Sequence, residues 1–293
     1  MTTPIAIVTG ANSGIGRATS VHLAGHGFRV FGTARNLDST GKLRGMADSA
    51  GVEVETVRMD VADDASVRDG IARVLDETGR VDVLVNNAGV GGNAVVEDMT
   101  PEQLQEVMNV NVGGALRCIR AVLPTMRAQQ SGAIVNITSI VGRVGAIGQA
   151  PYVASKWALE GMSEELALEV APFGVRVVIV EPGVTKSAIF AKNADVPPSS
   201  GAYDAHYRRM LQFYAAGIPQ GTDPFEVGEV IRHAVTTDEA KLRYVCSWGG
   251  AVAAGRSNFT DETWVDIGRA ADDDDYYQRF EKAFGLSIAP RES

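Results

Sequence analysis

The stretch Ile5-Ala6-Ile7-Val8-Thr9-Gly10-Ala11-Asn12-Ser13-Gly14-Ile15-Gly16 governs how the rest of the chain is read. Its four apolar residues form a short run without polar alternation, as in a strand buried on both faces. Glycines follow at once, and the amphipathic stretch from Gly16 to Gly25 reads as a helix. Glycine at 10, 14 and 16 permits a tight turn, close approach of a pyrophosphate to backbone N–H groups, and close packing of helix on strand. A glycine triplet alone carries little weight. Between a first strand and a first helix, it marks Gly10, Asn12, Ser13, Gly14, Ile15 and Gly16 as a dinucleotide-binding loop.

Outward from this opening, short β-branched runs alternate with amphipathic stretches. Arg29 to Thr33, Glu53 to Arg58, Val81 to Val85, Ala133 to Ile137, Val175 to Val180 and Arg243 to Cys246 read as six further strands. Helical patterns cover Ala65 to Thr78, Pro101 to Gln129 and Pro151 to Ala171. Right-handed crossovers between such elements generate an α/β fold, a Rossmann-type doubly wound parallel sheet of about seven strands with helices on both faces. Ligands of such sheets sit beyond the carboxyl ends of the strands. Residues 1–293 are expected to form one domain. Lys192 to Gly221 is its least regular part, so 188–221 reads as a substrate flap, with 257–293 as a C-terminal extension.

Composition narrows the function. The 293 residues carry 36 Asp plus Glu against 27 Lys plus Arg, a net charge of -9 that opposes a general affinity for nucleic acid. No apolar run approaches the roughly 20 residues of a membrane helix, and Met1-Thr2-Thr3-Pro4 lacks the basic region of a signal peptide, so a cytoplasmic protein is expected. Cys118 and Cys246 are too few for a disulfide framework and read as small buried residues. His22, His26, His206 and His233 show no metal-ligand grouping, so no metal site is expected. Asp272 to Asp275 reads as a solvated helix start rather than a cation loop.

The end of the second strand bears on cofactor choice. An acidic residue there would accept hydrogen bonds from the adenosine ribose and repel a 2′-phosphate. This chain has Ala34-Arg35, whose guanidinium suits the phosphate, so NADP(H) is favoured over NAD(H). Ser13 stands where a second basic residue would have strengthened that pocket. Tyr152 and Lys156, four apart on one helix face, form the sharpest chemical pair. A phenol ionises near pH 10, and a neighbouring ammonium favours its charged form.

Taken with Asn86-Asn87-Ala88-Gly89, with Ser139 upstream of Tyr152, and with Pro182-Gly183, these motifs resemble the short-chain dehydrogenase/reductase family over roughly residues 5 to 190. The resemblance implies that Tyr152 is the acid/base and that Lys156 lowers its pKa and binds the nicotinamide ribose. It implies that Ser139 stabilises the substrate oxygen, with Thr138 a structural hydroxyl beside it. Asn111, rather than Asn109, resembles the asparagine that bends its helix and holds a water in a proton relay. Asp60 resembles the aspartate at the adenine, with helix capping as its alternative role. Asn87, Ala88 and Gly89 would line the adenosine side. Pro182, Gly183, Val184, Thr185 and Ser187 would form the loop over the nicotinamide, with Ser187 where the family usually has threonine.

The expected activity is hydride transfer between the cofactor and a small-molecule carbonyl or alcohol. A non-catalytic NADP(H)-binding sensor, or lyase or isomerase chemistry on the same fold, are the alternatives. The flap's Ile189, Phe190, Tyr203, Tyr207, Met210, Phe213 and Tyr214 suit either a cover over a lipophilic substrate or a helical core. Trp264, Tyr276, Tyr277, Phe280 and Phe284 in the extension suit either a pocket wall or an interface. The resemblance implies a homodimer or homotetramer.

Overall fold

A computed structural model describes residues 2–187, 201–239 and 241–290. Seven strands run parallel in the order β3-β2-β1-β4-β5-β6-β7: Ile5–Val8, Arg29–Ala34, Glu55–Arg58, Val83–Asn86, Gly132–Ile137, Val175–Pro182 and Arg243–Cys246, numbered β1 to β7 along the chain. The order reverses between β1 and β4, which pair as Ala6 with Val83 and Val8 with Val85. A cleft opens at such a reversal because the flanking crossovers leave on opposite faces. The Ile and Val runs bury both faces, one against Ile7, Leu84, Cys118 and Ile134, the other against Val8, Val30, Val135 and Val180.

Helices cover the sheet: α1 (Gly14–Ala24), α2 (Gly41–Ala50), α3 (Asp64–Thr78), α4 (Pro101–Met108), α5 (Gly114–Gln129) and α6 (Ala150–Val170). The expected helix from Pro101 to Gln129 is divided by a π-helical turn at Asn109–Gly113, and α2 had no counterpart in the sequence reading. Among the described residues no helix is long and apolar enough to cross a membrane.

The segment read as irregular contains α7 (Asp204–Gly217), followed by α8 (Pro224–Thr236). Residues 204 to 217 of the expected flap are thus helical rather than irregular, and Tyr207, Met210 and Tyr214 recur at helical spacing and pack with Val95. Ile189 and Phe190 lie outside the described residues. In the extension, α9 (Gly250–Gly255), α10 (Asp261–Gly268) and α11 (Asp273–Phe284) bury Tyr276, Phe280 and Phe284 against Ile140, Val141 and Val144. Asp272 caps α11 by accepting from Asp275 N, so the acidic run is indeed a helix start. Arg209 of α7 is buried, donates to Asp273 Oδ1 at 2.9 Å and lies over the Tyr276 ring.

Two expectations need correction. Cys246 is only half-buried, whereas Cys118 is fully buried. His22 and His26 do form a grouping, since ligand atoms of these two and Glu229 lie within 4.8 Å of one another where α8 packs on α1. The four-residue spacing of His22 and His26, across the carboxyl end of α1, was the available signal. Glu229 is already held by His22 at 2.8 Å and by both guanidinium contacts of Arg232, so an ion is not needed to satisfy it.

Candidate active site

A cavity of about 590 Å³ lies beyond the carboxyl ends of β1, β2, β4, β5 and β6. At one end the glycine loop forms its floor. Gly10 and Gly14 have φ of +66° and +50°, conformations that side chains disfavour. Gly16 lies behind the lining, where a Cβ would come 2.3 Å from Asn87 Nδ2 and 2.6 Å from the Gly10 carbonyl oxygen. It serves the close packing read from the sequence. Ser13 caps α1 in extended backbone without a side-chain hydrogen bond to the helix, and Asn12, Ser13, Gly14 and Ile15 all face the cavity. The positive end of α1 and the bare glycine surface suit a pyrophosphate.

Thr9 ties this loop to the one after β4. Its hydroxyl accepts from both Asn87 N and Ala88 N at 2.9 Å, while Asn87 Nδ2 returns a bond to the Thr9 carbonyl at 2.8 Å. Asn87, Ala88 and Gly89 are thereby held along one wall. Beside it Asp60 lines the cavity and accepts from Ala62 N at 3.0 Å. The cap of α3 is Asp63, which accepts from Ser66 N, so capping is not what Asp60 is needed for.

Arg35 stands exposed at the rim and makes no ion pair among the described residues. Asn36 and Ser39, absent from the sequence reading, flank it, with Asn12 Nδ2 donating to Ser39 Oγ at 3.0 Å. Asn36 was legible as a cap, since its side chain accepts from Asp38 N directly after the strand. This end of the cavity thus presents a guanidinium without a carboxylate partner among the described residues, beside small polar side chains.

Tyr152, Lys156 and Ser139 meet at the opposite end. Lys156 Nζ is 5.5 Å from the Tyr152 ring centroid and donates to the Ile137 carbonyl at 2.8 Å. The Ser139 hydroxyl donates to the Pro182 carbonyl at 3.3 Å. Burial pushes the Tyr152 phenol up to about 12, opposed by its hydrogen bond to Ser139. Burial also brings Lys156 down to about 8, opposed by the charge of Glu160. In this state the phenol is protonated at neutral pH, with burial the dominant influence and Ser139 the group that opposes it. Thr138 donates to the Val180 carbonyl at 3.1 Å, the structural role read for it.

Asn111 sits one layer behind the cavity, 2% exposed, on the π-helical turn. Its Oδ1 accepts from Val90 N at 2.8 Å, and its Nδ2 donates to the Val90 carbonyl and to Ser155 Oγ, both at 2.9 Å. Ser155 Oγ in turn donates to the Tyr152 carbonyl at 2.7 Å. Asn111 thus links the helix bend, the loop after β4 and the first turns of α6.

The loop from Pro182 to Ser187 closes the cavity from above. Val184 bridges Trp248, Thr185 bridges Thr222, and Ser187 Cβ lies where a Cβ on Gly14 would come within 3.1 Å of it. Pro182, Gly183, Val184, Thr185 and Ser187 all line the cavity. Its remaining wall includes Val90, Asn93, Val141, Gln149, Phe213 and Tyr214. Of these, the sequence reading had named only Phe213 and Tyr214. Gln149 had a signal in its position three residues before Tyr152, almost one helical turn.

The comparisons with known proteins agree with this geometry. The family model described as short chain dehydrogenase matches residues 4–196. A 3-ketodihydrosphingosine reductase of Bacteroides thetaiotaomicron is 37% identical over 243 residues, covering 82% of this chain and 86% of that protein. A short-chain dehydrogenase structure from Streptomyces avermitilis superposes with a TM-score of 0.76 at 32% identity, covering 93% of this chain and 99% of its own. A metagenomic short-chain oxidoreductase in complex with NADP gives a TM-score of 0.67 at 28% identity, covering 84% and 97%. By its motifs, its sheet and these likenesses, the chain belongs to the short-chain dehydrogenase family of nicotinamide-dependent oxidoreductases.

Proposed function

We propose that this chain is an NADP(H)-dependent oxidoreductase that interconverts a carbonyl and an alcohol, with Tyr152 as acid/base. The observation that carries the reading is the convergence of the Tyr152 phenol, the Ser139 hydroxyl and the buried Lys156 at one end of a cavity with Arg35 at the other. A bound nicotinamide supplies the hydride, which no side chain can. Tyr152 gives its proton to the carbonyl oxygen as charge develops there, and Ser139 donates a hydrogen bond to the same oxygen. The Lys156 ammonium stabilises the phenolate that remains. Asn111 acts through position, fixing the loop at Val90 and the start of α6.

Arg35 supports NADP(H) as the preferred cofactor, and the likeness to a structure in complex with NADP supports it further. A relative named as a 3-ketodihydrosphingosine reductase supports a ketone as substrate, and Val90, Val141 and Phe213 suit a lipophilic one. Exposed Leu116 of α5 and Trp157 and Leu168 of α6 support a homodimer or homotetramer, which sedimentation would test against a monomer.

The test is oxidation of NADPH and NADH against a panel of ketones and aldehydes, with Tyr152→Phe as control. NADPH consumption lost in that variant is the expected result. Full turnover in Tyr152→Phe, or tight NADPH binding without hydride exchange on any carbonyl or alcohol, would overturn the assignment.

A further inference from the structure

Beneath the active site, and outside the cavity lining, lies a buried pair of carboxyl groups. Glu181 is the second-to-last residue of β6, 0% exposed, and neither of its carboxylate oxygens has a hydrogen-bond partner among the described residues. Glu160 of α6 is 5% exposed with its Oε1 unpartnered. One guanidinium serves both. Arg243 Nε of β7 lies 3.0 Å from Glu160 Oε2 and 3.3 Å from Glu181 Oε1, and its Nη2 donates to Glu164 Oε1 at 2.6 Å. Arg143, from the turn after β5, reaches Glu181 Oε2 only at 3.8 Å.

Oxygens that share the Arg243 Nε lie within about 6 Å of each other, a separation at which two buried negative charges oppose each other's ionisation. Burial and the charge of Glu160 push Glu181 up to about 7, against the pull of Arg143 and Arg243. Burial raises Glu160 too, opposed by Thr138, Arg243 and Arg143. Cys246 of β7 contributes no charge, since burial pushes its thiol up to about 11. The two ionisations are therefore coupled, each carboxylate opposing the other's charge.

Its position gives that charge a use. Glu160 follows Lys156 by four residues on α6, and Glu181 directly precedes Pro182-Gly183. Lys156 is 6% exposed and has only the Ile137 carbonyl as its hydrogen-bond partner among the described residues. The fold also reserves the space, because a Cβ on Gly142 would lie 2.9 Å from Glu160 Cγ. Resting on the role given to Lys156 above, we propose that Glu160 and Glu181 form a positioning pair that keeps the Lys156 ammonium charged, Glu160 directly and Glu181 as its auxiliary charge. Neither touches substrate or cofactor. As pH rises and Glu181 loses its proton, the added negative charge extends the range over which Lys156 stays cationic.

The test reads Lys156 without requiring turnover. Cofactor-free protein is labelled with acetic anhydride between about pH 6 and 10, and modification of the Lys156 peptide is followed by mass spectrometry. Glu160→Gln is expected to move the labelling midpoint down by about one pH unit, and Glu181→Gln by a smaller step in the same direction. The alkaline edge of kcat/KM should move with it. An unmoved midpoint in folded Glu160→Gln overturns the proposal. If that variant does not fold, an unmoved midpoint in Glu181→Gln overturns it instead. A shifted midpoint in a protein that turns over no carbonyl or alcohol would uphold the pair and sink only the proposed function.

Discussion

The two ends of the cavity are built from different materials. At the glycine-loop end the wall is backbone: Gly10 and Gly14 in left-handed conformations, the amino end of α1, and Asn87 and Ala88 held through their N–H groups by the Thr9 hydroxyl. At the far end it rests on side chains from distant segments, Val141, Gln149, Phe213 and Tyr214, backed by the aromatic cluster of α11. A backbone cradle tolerates little change, because each missing Cβ is occupied space, as at Gly16. A side-chain wall changes with each substitution while the sheet stays put, which is how one fold accommodates many substrates.

Variants should separate the two ends. The largest effect belongs to Tyr152→Phe, expected to cut kcat about 10²- to 10⁴-fold with NADPH affinity preserved, as read by steady-state kinetics and fluorescence titration. A parallel loss of affinity would mean that the ends are coupled. Phe280→Ala removes a buried ring that meets Phe213 and Phe284, at a cost of about 3 kcal/mol in a denaturant titration. The substrate KM should rise while the NADPH Kd stays within about two-fold. Arg35→Ala should weaken NADPH about 10- to 100-fold and leave NADH nearly unchanged, so an equal loss for both cofactors would remove the phosphate role.

The smallest expected effect is on stability. Burial lowers Lys156 to about 8 in the folded protein, so between that pH and its ordinary 10.5 the native state binds fewer protons than the unfolded chain. The charged amine therefore costs stability at neutral pH, and the cost fades as pH rises through that interval. Lys156→Met should gain on the order of 2 kcal/mol near pH 7, visible as a higher Tm, while turnover collapses. A lower Tm would show that the hydrogen bond to Ile137 outweighs the burial of charge.

Legibility in the sequence follows the same division. The glycine loop, the seven strands and the Tyr152–Lys156 pair could be read because each depends on local geometry: a turn, an apolar run, a four-residue helical spacing. The apolar periodicity alone does not reveal the π-helical turn at Asn109–Gly113, because the pattern continues on both sides of it; only the family resemblance of Asn111 pointed to a bend there. Gln149 carried a local signal in its spacing from Tyr152, whereas Asn93 escaped because its place in the cavity depends on tertiary packing. The Glu160–Glu181 pair was out of reach for the same reason. The two carboxyl groups are 21 residues apart on a helix and a strand, and Arg243 of β7 joins them.

The stitching of Gly183, Val184 and Thr185 bears on how this enzyme can be re-engineered. A Cβ on Gly183 would come within 1.9 Å of the Trp248 carbonyl oxygen, and Val184 and Trp248 form an antiparallel bridge. Val184 N donates to the Trp248 carbonyl at 2.8 Å, while Thr222 N donates to the Val184 carbonyl at 3.1 Å. A chimera that grafts a foreign carboxyl-terminal third onto this sheet therefore replaces the splint of its own loop from Pro182 to Ser187. Substrate scope is best transplanted as individual side chains of α7, or together with the loop and its splint as one cassette.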